Sequence, residues 1–161
     1  MDMFKSVVIL LVEDDPGDQK LVKKSLEREK IANELFIVNN AEEALEYLEG
    51  SKRGDYKTPM PDLILLDLNM PGISGQEFLK RLKSDDLLDT IPVVILTTSD
   101  SDKDVLETFK LQASGYIKKP GSLEGFKEVM QHINEYWFVI CKRANHTNEF
   151  QNRNIMPSVG R

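Results

Sequence analysis

The chain has 161 residues, 40% of them hydrophobic and 30% charged, which suits one globular domain with a short extension. Its net charge of −6 argues against non-specific nucleic-acid binding, and its single cysteine, Cys141, excludes an intramolecular disulfide. No apolar run approaches the ~20 residues of a membrane span and the N-terminus lacks a signal-peptide pattern, so a cytoplasmic protein with no membrane partner is expected.

Val7-Val8-Ile9-Leu10-Leu11-Val12 is an unbroken aliphatic run, the pattern of a strand buried on both faces of a parallel sheet. Pro16 opens a helix whose inward positions include Leu21, Val22, Ser25 and Leu26. Leu35-Phe36-Ile37-Val38 is a second strand, and Asn40 caps a helix carrying Ala44, Leu45 and Leu48. The glycines, prolines and charges between Gly50 and Pro61 mark a long loop. Leu63-Ile64-Leu65-Leu66 is the third strand, and a helix with Phe78, Leu79 and Leu82 follows Gly75. Val93-Val94-Ile95-Leu96 is the fourth strand, with Asp102 or a neighbour capping the next helix. Tyr116-Ile117 lies in a short fifth strand, and a last helix starts near Ser122. Strand and helix alternate throughout, which predicts a doubly wound α/β fold with helices on both faces of a parallel sheet.

Four polar signals each follow a different apolar strand: Glu13-Asp14-Asp15, Asp67, Thr97-Thr98-Ser99 and Lys118-Lys119-Pro120. Taken singly they read as helix-start acids, an N-cap cluster and a loop lysine. Taken together they converge, because the carboxyl ends of the strands in such a sheet share one edge. Carboxylates gathered there repel one another unless a cation compensates, and Mg²⁺ suits an all-oxygen set. A carboxylate nucleophile, a divalent cation, a lysine and a hydroxyl make up the equipment for phosphoryl transfer onto an aspartate.

These residues, in this order, resemble the receiver domains of two-component signalling, with the chemotaxis receiver as a near example, over about residues 7–140. The resemblance implies a flavodoxin-like five-stranded parallel sheet of order 2-1-3-4-5 with five helices. It implies that Asp67 accepts a phosphoryl group from a histidine kinase or phosphotransfer protein. Glu13 and Asp14, with Asp67 and the backbone carbonyl of Asn69, would hold Mg²⁺. Thr97 would be the switch hydroxyl, Tyr116 the aromatic switch, and Lys119 the partner of the phosphoryl oxygens, with Lys119-Pro120 at a position where a cis peptide is usual. Such a protein is no enzyme beyond its own phosphorylation and dephosphorylation. Glu13 in place of an aspartate favours a water-mediated metal contact, and Thr98 is bulkier than usual beside the switch, which would slow dephosphorylation. The long loop, the Thr-Thr-Ser segment and the extended last helix resemble the single-domain regulators that partner bacterial phytochromes.

The receiver reading covers residues 1–143, leaving 144–161 as a C-terminal tail, basic and rich in asparagine. Leu123, Phe126, Met130, Ile133, Trp137 and Ile140 form a core stripe on the last helix, but Tyr136-Trp137-Phe138-Val139-Ile140-Cys141 is apolar all round and needs a second surface. A homodimer through helix four, strand five and helix five is expected, with docking of the tail as the competing cover. His132 and His146 are the only histidines, which makes a zinc site improbable. Two other functional classes fit these residues less well. An aspartyl-phosphate hydrolase or phosphotransferase of the haloacid-dehalogenase type would want an acid where Asn69 stands. A flavodoxin-like cofactor binder would find Glu13-Asp14-Asp15 repelling its phosphate.

Overall fold

The long aliphatic runs form the centre of the sheet. In the computed structural model, which describes residues 6–27, 33–98 and 102–135, the order of elements is β1 (Val7–Val12), α1 (Pro16–Glu27), β2 (Asn33–Val38), α2 (Ala41–Lys52), β3 (Leu63–Leu66), α3 (Gly75–Lys83), β4 (Val93–Thr97), α4 (Asp102–Lys110) and β5 (Gly115–Lys118). A fifth helix, α5, begins at residue 123 and runs to 135, where the described residues end. The five strands are all parallel and lie in the order β2-β1-β3-β4-β5. The three central strands are buried almost throughout, whereas β2 and β5 are half-exposed edges. That difference explains why the central strands are written in Val, Ile and Leu up to Thr97 at the end of β4, while β2 begins Asn33-Glu34.

Side chains alternate across the sheet and so build two cores. Leu10, Val12, Ile64, Leu66, Val93 and Ile95 face α2 and α3, where Phe78, Leu79 and Leu82 are fully buried. Ile9, Leu11, Leu63, Leu65, Val94 and Leu96 face α1 and α5, meeting Val22, Leu26, Phe126 and Met130.

Local chemistry sets most helix starts. Asn40 is extended and its side chain accepts from the Glu43 N–H at 2.8 Å. Ser74 does the same for Glu77 at 3.1 Å. One expectation is corrected here: α2 runs through Gly50 to Lys52, so the loop starts at Arg53. Gly50 suits its helical position because the returning chain lies against it; a Cβ there would stand 2.4 Å from Thr58 Oγ1. Ser51 Oγ donates to the Thr58 carbonyl at 2.7 Å and Tyr47 OH to that of Pro59 at 2.8 Å, so the loop is stitched back onto α2. The expected strand two gains Asn33 and Glu34, Thr97 belongs to β4 itself, and β5 extends to Lys118. No cis peptide occurs among the described residues, so the Lys119–Pro120 bond is trans, contrary to expectation.

The turn from β3 into α3 is the most constrained in the fold. Gly72 has φ +86, and the side chain of Glu42 fills the space its Cβ would need while accepting from the Ile73 N–H at 3.3 Å. Gly75 opens α3 pressed against the chain leaving β3: a Cβ there would lie 2.9 Å from Leu68 Cα and 3.2 Å from the Asp67 carbonyl. Gly75→Ala is expected to destabilise the protein by about 1–3 kcal/mol, since the backbone clash outweighs the ~1 kcal/mol that alanine gains in helix propensity. Urea melts measure this; an unchanged or raised midpoint would mean that the turn gives way freely.

Candidate functional site at the carboxyl edge of the sheet

Strand register brings the site together. Val12 pairs with Leu66, Leu66 with Ile95, and Thr97 with Lys118, so the residues after β1, β3 and β5 leave the sheet side by side with the end of β4. The ladder continues one residue further. Glu13 N–H donates to the Val38 carbonyl at 3.1 Å, Asp67 N–H to that of Val12 at 3.0 Å, and Lys119 N–H to that of Thr97 at 2.8 Å. Glu13, Asp67 and Lys119 are therefore held by backbone bonds before their side chains make any contact.

Lys119 is the hub. Its side chain is 6% exposed, and Nζ lies 2.6 Å from Glu13 Oε1, 2.7 Å from Asp18 Oδ2 and 3.3 Å from Asp67 Oδ2. Burial would lower its pKa, but the bonds to Asp18 and Glu13 and the charges of Glu13 and Asp67 outweigh this, holding the ammonium well above the usual lysine range. Burial pushes the Glu13 carboxyl up to about 7, aided by the charge of Asp67 and opposed by Lys119. Asp67 Oδ1 accepts from the Asn69 N–H at 3.1 Å.

Glu13, Asp14 and Asp67 each place a carboxylate oxygen within 4.8 Å of the others. Glu13 and Asp67 are buried, and exposed Asp14 opens the cluster to solvent. This all-oxygen donor set, with more carboxylates than the one lysine balances, fits a hard divalent cation. Asp15 stands apart as a helix-start acid, accepting from the Gly17 N–H at 3.0 Å.

Thr97 is fully buried, and its Oγ1 accepts from Asn69 Nδ2 at 3.0 Å. The same amide reaches exposed Thr98 Oγ1 at 3.4 Å. Tyr116 on β5 is half-buried against the α2–α3 core. Lys118 points outward and is exposed. His132 is exposed on α5 and lines a groove of about 380 Å³ with Val94, Gly115, Ile117, Val129 and Ile133, at the opposite end of β5 from Lys119. Residues 136–161, with the apolar run, His146 and the tail, lie outside the described residues.

Asp18 is the contact that sequence reasoning missed. In the sequence it is one more acid in the first turn of a helix, and its partner is 101 residues away. The Asn69 side-chain bond to Thr97 and the Glu42 bond to the Ile73 N–H were likewise not visible in the sequence, since both depend on segments that meet in space.

A parallel sheet of this order, with a lysine, a hydroxyl and an acidic trio at its carboxyl edge, defines a phosphoacceptor receiver. The family model for the response regulator receiver domain matches residues 9–131, and the chain belongs to that family. It is similar to response regulator Rcp1 of Synechocystis sp., at 39% identity over 131 residues, covering 81% of this chain and 88% of that protein. Among solved structures it resembles the phosphorylated cyanobacterial phytochrome response regulator RcpA, with TM-score 0.76 and 36% identity over 83% of this chain and 95% of that one. It also resembles the Mn²⁺-bound form of Rcp1, with TM-score 0.73 and 37% identity over 81% of this chain and 94% of that one. Family membership sets aside the hydrolase and flavodoxin-like readings. Among the described residues, no helix is long and apolar enough to cross a membrane.

Proposed function

We propose that Asp67 is the phosphoacceptor, taking its phosphoryl group from a phosphohistidine of a histidine kinase or phosphotransfer protein. The carrying observation is Lys119 Nζ held between buried Glu13 and Asp67 at 2.6 and 3.3 Å, at the one edge where Asp14, Asn69 and Thr97 also converge. A carboxylate oxygen of Asp67 attacks phosphorus in line, the P–N bond breaks, and the imidazole leaves with the electron pair. Lys119 donates to a phosphoryl oxygen as charge develops there. Glu13, Asp14, Asp67 and the Asn69 carbonyl would hold Mg²⁺, which would add positive charge near those oxygens. The Thr97 hydroxyl, which accepts from the Asn69 amide, donates its O–H to the new acceptor, and Tyr116 follows the threonine toward the core, changing the α4–β5–α5 face.

The likeness to the cyanobacterial phytochrome response regulator RcpA supports a phytochrome-type kinase as the source of the phosphoryl group. Leu106 and Phe109 on α4 are 58% and 49% exposed, which supports a homodimer through the α4–β5–α5 face. Output is by protein contact in the cytoplasm, and catalysis is limited to the protein's own phosphorylation and dephosphorylation. The residues through 143 do this work, with 144–161 as an appended tail. Incubation with a small phosphodonor and Mg²⁺ is expected to add one phosphoryl group by intact mass, localised by peptide mapping to Asp67 and prevented by a chelator. Absence of any gain with every donor tried would overturn the reading.

A further inference from the structure

We propose that Asp18 is a positioning residue for phosphoryl acceptance, which holds Lys119 from the side of α1 and competes with the phosphoryl group for it. The inference rests on Asp67 being the acceptor.

An ammonium has three N–H donors, and here three carboxylates take them: Glu13 at 2.6 Å, Asp18 at 2.7 Å and Asp67 at 3.3 Å. Asp67 is held at the longest distance. A phosphoryl oxygen therefore finds Lys119 already saturated and must displace one partner. Glu13 and Asp67 belong to the cation cluster with Asp14, and Asp18 does not. Asp18 is also the most accessible of the three, its side chain 21% exposed against 2% for Glu13 and 5% for Asp67. Water can replace Lys119 at Asp18 more easily than at the two buried acids, so Asp18 is the partner to be exchanged.

Two consequences share one sign. The pair with Asp18 occupies a donor that the phosphoryl oxygens need, and the carboxylate adds negative charge on the same ammonium that they approach. Removing that charge while keeping the shape should speed acceptance. The effect on the cation has the opposite sign. With Asp18 neutral, the charge of Lys119 acts more strongly on Glu13 and Asp67, and the cluster attracts a cation less. A loosened site would lose on both counts, so opposite shifts distinguish positioning from a structural role.

The test uses the full chain. Phosphorylation by a small phosphodonor is followed by intact mass at saturating Mg²⁺, and Mg²⁺ affinity is measured by titration calorimetry without donor. Asp18→Asn is expected to raise the initial rate about three- to tenfold and to weaken Mg²⁺ binding by a similar factor. Asp18→Ser, run alongside, carries the same expectation. Asp18→Glu, which keeps the charge, and Asp15→Asn, which removes an exposed charge bonded to the Gly17 N–H, should stay within about twofold of the parent chain. If both neutral variants leave rate and affinity unchanged, or lower both, Asp18 has no positioning role even though Asp67 remains the acceptor. If the parent chain takes up no phosphoryl group, the reading of Asp67 falls and this inference with it.

Discussion

Replacing Lys119 by methionine is expected to destabilise the protein by about 3–5 kcal/mol in cation-free solution, as when one partner of a buried ion pair is removed. Methionine fills much of the same space, so the cost is electrostatic. Glu13 and Asp67, with side chains 2% and 5% exposed, would face each other without the ammonium that now lies 2.6 and 3.3 Å away. The deficit should depend on pH with a definite sign. An unfolded glutamate ionises near 4.5, whereas burial already pushes folded Glu13 up to about 7, and loss of Lys119 would push it further. Between those values the folded state binds more protons than the unfolded state, so stability falls as pH rises. Lys119→Met should therefore lie closest to the parent chain at about pH 5 and furthest from it at about pH 8. A divalent cation, which supplies the missing positive charge and binds only the folded state, should recover part of the difference. Urea melts at the two pH values, with chelator and with Mg²⁺, measure all three effects. A deficit below about 1 kcal/mol that ignores both pH and Mg²⁺ would show that Lys119 is not the charge that balances this edge.

Asp67→Asn has the largest expected effect on function. The carboxamide offers no nucleophilic oxygen, so phosphoryl uptake from a small donor should disappear in intact mass. Mg²⁺ affinity should fall about tenfold or more, because one of the three anionic donors is lost. Folding should be unharmed. Asparagine keeps the shape, still accepts from the Asn69 N–H now bonded at 3.1 Å, and relieves the repulsion with Glu13. Loss of uptake at undiminished stability separates a chemical role from a structural one. Continued uptake at the parent rate would place the acceptor on another residue.

The two variants also bear on the switch. Thr97 is not idle in this state, since its Oγ1 is bonded to the Asn69 amide at 3.0 Å, two residues beyond the acceptor. The residue two beyond the proposed acceptor thus holds the hydroxyl that would report on it. A new acceptor on Asp67 would draw both Lys119 and Thr97 toward itself. The lysine must first release a partner, Asp18, whereas the Thr97 hydroxyl accepts from the Asn69 amide and can keep that bond while its O–H donates to the phosphoryl group. Acceptance is coupled to rearrangement at Lys119 because its three donors start out occupied.

Much of this was legible along the chain. The buried runs of β1, β3 and β4 declare a parallel sheet because only a sheet covered on both faces tolerates uninterrupted Val, Ile and Leu. Asn40 announces the start of α2, and Glu13, Asp14, Asp67, Thr97 and Lys119 stand out because each follows an apolar run at the end where such sheets gather their chemistry. These are short-range patterns, set by propensity, capping and periodicity. The tertiary structure decided what depends on distant segments meeting. Gly50 leaves the room in which Thr58 returns against α2, Gly75 is required because α3 starts on the backbone of Leu68, and Asp18 becomes a partner of Lys119 only once α1 and β5 share an edge. Composition supplies the charges, but three carboxylates and one ammonium interact through a few ångströms of space, and the fold alone sets those distances.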